Sequence, residues 1–249
     1  MAIRISEARS LAELIEAVQS AEDHPMSGWY RGVTDARHSL LPGAFRGGRT
    51  RKDESSLLHY FRAAAPSRTA QTPGSTDLGL WLSLAQHWGL PTRLLDWSNA
   101  LAVAAHFATS GPVDSGWDAA IWVLNTFRMN EHFGHEPLRY GIQSATAKHV
   151  VEPAFYYQSE EPGGYLGVMA VEHDPRVHAQ QGAFTIHSSR EPLENAERAE
   201  EWLHQIVIPA NALNKVRLEL RVLGVSRASL FPDLGSLAVQ IRGDHEGIL

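Results

Sequence analysis

Gln86-His87-Trp88-Gly89-Leu90-Pro91-Thr92-Arg93-Leu94-Leu95-Asp96-Trp97 is the densest set of reactive side chains in an apolar frame. Gln86 and His87 close a helix. Thr92, Arg93 and Asp96 follow across a Gly/Pro turn, which fixes side-chain directions as a site requires. His87 oriented by Asp96 suits general-base work, because an imidazole's ordinary pKa of about 6.5 lies close to neutrality. The structural alternative sets His87 against a helix C-terminus and pairs Arg93 with Asp96, since buried charges need partners. Trp29-Tyr30-Arg31-Gly32 offers a guanidinium at a strand end beside a glycine. Its fork matches phosphate, although an ordinary surface arginine fits the same pattern. Gln180-Gln181-Gly182-Ala183-Phe184 sets amides before a glycine, where they read a ligand's polar edge or simply lead into a strand.

Other chemistries drop out. The chain has no cysteine, which removes thiol nucleophiles, zinc ribbons and disulfide scaffolds. It contains no G-x-S-x-G elbow, no phosphate-binding G-x-x-x-x-G-K-[ST] loop and no H-E-x-x-H. His132-Phe133-Gly134-His135 has a spacing that could bind a metal on a helix, but its Gly-rich context argues for a loop; His173, His178 and His187 could converge on strands, yet no spacing rule selects them, so no metal is expected. With 22 Lys plus Arg against 28 Asp plus Glu, the net charge is −6, which argues against a nucleic-acid coat. The 249 residues suit one domain. No apolar run approaches the roughly 18–20 residues of a membrane helix. The expectation is a soluble, cytoplasmic protein without membrane contact.

The elements that must position these residues are legible in outline. Ser10-Leu11-Ala12-Glu13 is a capping box for a helix ending before His24-Pro25. A strand covers 28–32, a loop 33–52, a helix 54–65 and a loop 66–76. The helix 78–88 is closed by Gly89 in a left-handed cap. An extended segment spans 93–97, and Ser98 or Asn99 caps a helix 100–109. Strands follow at 119–124, 166–171, 183–187 and 205–209. Asn211 caps a helix to 223, and Asp233 caps the last. Residues 127–163 read as an irregular insertion within one domain, 1–249. The class is α+β, with helices mainly in the first half and a mixed or antiparallel sheet in the second.

In this order the segments resemble the FRG domain, a bacterial and phage-associated family named for an aromatic-Arg-Gly motif. Tyr30-Arg31-Gly32 is similar to that motif, with Tyr30 at the aromatic place. The family's longest motif resembles Gln86 through Ser98, followed by an Ala-rich segment ending in Phe107-Ala108. Later motifs resemble Gln180-Gln181-Gly182-Ala183-Phe184 and Leu230-Phe231-Pro232-Asp233-Leu234. More distantly, the order of elements is similar to that of ADP-ribosyltransferases. These place an Arg or His on a first strand, a Ser/Thr strand leading into a helix, and a Glu or Gln near a later strand.

The resemblance implies an ADP-ribosyltransferase-like fold with NAD as substrate. Arg31 would hold the pyrophosphate, Ser98 the nicotinamide ribose, and Gln181 the third place. Tyr30, Gly32, Gln86, Thr92 and Arg93 would lie beside the nucleotide. The carboxylate that normally stabilises the developing ribosyl cation is missing from Gln180-Gln181-Gly182, so Asp96 or Glu172 would have to serve. The resemblance also implies an effector in toxin action or phage defence, with a macromolecular acceptor or an antitoxin as partner. Two other functions fit the residues. One is a non-catalytic module binding an anionic ligand or peptide through Arg31 and Arg93. The other is a hydrolase or nuclease using His87 with Asp96.

Overall fold

Apolar runs with β-branched and aromatic residues build the sheet on which every candidate residue depends. The computed structural model describes residues 2–21, 28–112, 116–171 and 174–246. Among these, eight strands form one mixed sheet: β1 (Arg4–Glu7), β2 (Gly28–Val33), β3 (Leu94–Ser98), β4 (Ala119–Asn125), β5 (Tyr140–Gly141), β6 (Tyr165–Met169), β7 (Gly182–His187) and β8 (Leu203–Ile208). Their spatial order is β1-β8-β4-β2-β3-β7-β6-β5. The two edge strands pair parallel to their neighbours and the inner ladders are antiparallel. The α+β class is as expected, but strands come from both halves of the chain, not mainly the second.

The helices are α1 (Leu11–Ala21), α2 (Arg51–Ala64), α3 (Leu78–His87), α4 (Leu101–Thr109), α5 (Thr126–His132), α6 (Ala145–Phe155), α7 (Pro175–Gln180), α8 (Leu213–Val222), α9 (Arg227–Leu230) and α10 (Leu234–Glu246). None is long and apolar enough to cross a membrane.

Ladder length varies sharply across the sheet. β2 and β4 register through every residue from Gly28 to Val33, and β3 and β7 through every residue from Leu94 to Ser98. Between β2 and β3 a single pair is in register, Tyr30 with Ser98. The cores follow this division. On one face, Leu94, Phe184, Ile186, Leu166 and Val168 pack under α2, α3 and α6. Beside them, Tyr30, Ile121, Val123, Ile206 and Ile208 pack under α1, α4 and α8. On the opposite face one core runs across both halves, with Trp29, Val33, Leu95, Trp97, Trp122 and Trp202.

Local signals explain most boundaries. Ser10 Oγ accepts the Glu13 amide at the start of α1. A capping box of Thr50 and Asp53 starts α2. Gly89 has φ +81°, the left-handed stop read from the sequence. Asp233 Oδ1 accepts the Ser236 amide as the expected cap of α10.

Two readings are corrected. Residues 127–163 are not irregular: they hold most of α5, all of α6 and β5, capped by Asn125 and Ser144. Ala147, Val150, Val151 and Ala154 repeat at helical spacing and are buried, with Pro153 and His149 between them disguising the pattern. Asn211 does not cap α8, which begins at Leu213; its Oδ1 accepts from Arg9 Nη1 instead. Elements β1 and α7 are additions to the reading.

Candidate functional site

The seam between β2 and β3 brings the separated motifs together. Side chains alternate across a strand, so Arg31 leaves β2 on the same side as Trp29 and Val33. Beyond Tyr30 the strands part, and Arg31 fills the gap. Its Nη1 donates to the Asp96 carbonyl at 2.6 Å and lies 3.8 Å from Asp96 Oδ2. Among the described residues, Nε and Nη2 have no protein acceptor. The Arg31 side chain is 21% exposed and that of Asp96 57%. Burial lowers the Arg31 pKa from its ordinary value; Asp96 opposes this and the nearby Arg46 adds to it. The seam therefore holds a charged guanidinium with donors to spare.

The polar residues of the long motif are bonded to one another. The Leu94 amide donates to Thr92 Oγ1, the Thr92 hydroxyl to Gln86 Oε1 (2.7 Å), and Gln86 Nε2 to Asp96 Oδ2 (2.9 Å). Gln86 thus holds Asp96 from the helix side while Arg31 approaches from the seam. The expected His87–Asp96 dyad is corrected: Asp96 turns to Gln86 and Arg31, and the carboxylate facing His87 is Asp174, at 3.9 Å.

The expected Arg93–Asp96 pair is corrected too. Arg93 is wholly buried, and its guanidinium donates to both oxygens of Glu54 and both of Glu161. Burial alone would lower its pKa; Glu54 and Glu161 outweigh that and hold it above its ordinary value. The physical reason lies in the turn before β3, where the Arg93 amide also donates to Glu54 Oε1. Arg93 precedes β3 and turns under α2, where Glu54 sits one turn before the buried Leu58. Asp96 is the one exposed position on β3.

The remaining candidates converge on the same register. Ser98 lies opposite Gly182 as well as Tyr30. Its hydroxyl donates to the Gln180 carbonyl (2.7 Å) and accepts the Ala100 amide (3.0 Å), so it fastens the start of α4 to the turn before β7. Gln181 takes φ 46° at the end of α7, and its carbonyl accepts from the Asn99 backbone and side chain. Tyr30 is buried in the core beneath α4. Gly32 does not release Arg31 at a strand end. It lies inside β2, where a Cβ would meet the Ala104 carbonyl oxygen at 1.9 Å and the Ala108 nitrogen at 2.5 Å. Its role is to let α4 lie directly on β2. Glu172 and His173 lie outside the described residues.

Two features lacked a reading from the sequence. Glu54 and Glu161 were missed as partners of Arg93, although Glu54 shares a helical stripe with Leu58 and Phe61. Trp97 Nε1 donates to Thr185 Oγ1, whose hydroxyl meets His187 Nε2, both at 3.0 Å. Only strand alternation places Thr185 and His187 on the face of Trp97, and that needs the register in hand.

The family model of the FRG domain matches residues 26–116, a span that holds Tyr30-Arg31-Gly32 and the whole Gln86-to-Ser98 motif. No curated protein and no solved structure matches the chain.

Proposed function

We propose, from the FRG domain at residues 26–116, that this chain binds a nucleotide at the β2–β3 seam and acts on NAD as an ADP-ribosyltransferase-like enzyme. The observation that carries this reading is Arg31: a guanidinium in a parted ladder, held by one nitrogen and offering the others. Charge-assisted bonds from such a fork suit a pyrophosphate. Asp96, fixed by Gln86 at 2.9 Å, is the exposed carboxylate beside it. Transfer breaks the bond between nicotinamide nitrogen and ribose C1, and the electron pair leaves with nicotinamide. Positive charge builds on the ribose and a fixed carboxylate stabilises it. The acceptor, macromolecule or water, supplies the new pair and loses a proton. Ser98 and Gln181 serve by fixing the turn that closes the seam.

A second reading, a non-catalytic module for an anionic ligand, is favoured by the internal bonding of Thr92, Gln86 and Asp96. Calorimetric titration with NAD, with free nicotinamide followed over time, separates the two. The enzyme reading expects binding that Arg31→Ala weakens by about tenfold or more, equivalent to about 1.4 kcal/mol. It also expects nicotinamide release that Asp96→Asn abolishes. Binding without release supports the module. An absence of binding at millimolar NAD rejects both as nucleotide readings.

A further inference from the structure

Building on the nucleotide reading of Arg31, we propose that Arg46 is a second phosphate-binding side chain of the seam. It makes the site selective for two adjoining phosphates, so that a nucleoside diphosphate binds in preference to a monophosphate.

Arg46 is carried to the seam by a short turn. Residues Gly43–Phe45 form a single 3-10 turn, and the Ala44 amide donates to the Thr92 carbonyl at 3.0 Å. Thr92 is the residue that Gln86 ties to Asp96. Gly43 lies so close to Pro91 that an added Cβ would sit 3.2 Å from the proline Cβ. Leu40, ahead of the turn, is buried in the core with Trp29, Leu95 and Trp97. Arg49 closes the loop from the other end, its Nη1 donating to the Gly43 and Arg46 carbonyls. The backbone at Arg46 is thereby fixed against the stretch that leads into β3. Every residue of this arrangement lies within 28–112.

The Arg46 side chain is anchored at one atom: Nε donates to the Leu41 carbonyl at 2.8 Å. Among the described residues it enters no ion pair, and its two terminal nitrogens have no acceptor. Its charge is felt at Arg31, where it works against the proton that Asp96 favours. Two guanidiniums thus share one exposed carboxylate, a local excess of positive charge in a chain whose net charge is −6. Like charges held near one another repel, and an anion between them turns the repulsion into attraction. Guanidiniums only donate, so the partner must be rich in acceptors. One phosphate satisfies one fork; two phosphates in a row offer an oxygen pair to each.

Calorimetric titration with ADP, adenosine 3′,5′-bisphosphate and AMP tests this. ADP and the bisphosphate carry the same number of phosphates, adjoining in one and apart in the other, so charge alone would not favour ADP. ADP is expected to bind about tenfold tighter than either. Arg46→Gln, at an exposed side chain, should keep the wild-type melting temperature. It should bring ADP down to the affinity of AMP while AMP itself changes by less than about threefold. Arg31→Ala should weaken all three. Equal binding of ADP and the bisphosphate to the wild type, or an ADP preference that survives Arg46→Gln, overturns the role of Arg46 and leaves the nucleotide reading standing. Absence of binding by all three at millimolar concentration, or ADP binding that Arg31→Ala does not weaken, overturns both.

Discussion

Arg93 and Glu54 form an ion pair shut away from water: Nη2 lies 2.8 Å from Oε2, and the side chains are 0% and 1% exposed. Glu161 completes the arrangement from the other side and also takes Arg51 at 3.0 Å. Removing one partner of a buried pair strands the other charge, at a cost of about 3–5 kcal/mol. Glu161 still pairs with Arg93 in Glu54→Gln, so the unfolding free energy should fall by about 3 kcal/mol, the lower end of that range, in urea titration. Asp96→Ala, at an exposed position, should cost under about 1 kcal/mol. Reversed magnitudes would put the structural pair at Asp96 after all.

Two glycines should respond differently. In Gly32→Ala the added Cβ meets backbone of α4 at 1.9 Å, so strand and helix must move apart. Overpacking of this sort costs about 1–3 kcal/mol, and the rigid contact puts Gly32 at the upper end. Gly89 has φ +81° and open space around it. Gly89→Ala should cost only about 1 kcal/mol, the conformational penalty alone. Melting temperatures of the two variants would show the contrast, and equal losses would dissolve it.

His187 makes stability depend on pH. It is fully buried, and burial first, then the charges of Arg31 and Arg93, push its pKa down to about 3. An unfolded chain binds the proton near pH 6.5, while the native one resists it until about pH 3. Between those values the unfolded state holds more protons, so stability rises with pH. The contribution is complete above about pH 6.5 and is lost as pH falls toward about 3, at a slope approaching 1.4 kcal/mol per pH unit. In His187→Gln, denaturant midpoints at pH 5 and pH 7 should lie closer together than in the wild type. An unchanged separation would clear His187 of this role.

Ser98→Ala should act on stability before ligand. Its hydroxyl satisfies the Gln180 carbonyl and the Ala100 amide. Losing those bonds at a buried position costs about 1–3 kcal/mol. The melting temperature should fall while the Kd for NAD changes by less than about threefold, under about 0.7 kcal/mol. A large Kd change with unaltered melting would return the hydroxyl to the ribose.

Punctuation and period were the legible part of the sequence. Gly89 with Pro91, the Ser10 box and Asp233 mark helix ends by local chemistry. The apolar runs at 119–124 and 183–187 mark strands. What escaped needs long-range register. The sequence has no local sign that Arg93 reaches back 39 positions to Glu54 instead of forward three to Asp96. The choice depends on where the turn before β3 lies against α2. Gly32 was read as a turn residue because a lone glycine at a strand end usually is one; only the approach of Ala104 and Ala108 reveals a packing role. The motif positions were legible as a set, and their convergence near Tyr30 and Ser98 came from the sheet order.

The single registered pair at Tyr30 and Ser98 has a mechanical consequence. One face of the sheet carries two separate cores that meet along this line, and the other face carries one continuous core. The molecule is thus built like two plates sharing a spine of tryptophans, Trp29, Trp97 and Trp122. Bending about that spine changes the angle between the plates while almost no ladder bonds are broken. Amide exchange should accordingly divide the sheet into two cooperative units, β4 with β8 in one and β7 with β6 in the other. An anion gripped at Arg31 would register as stiffening along the crease between them.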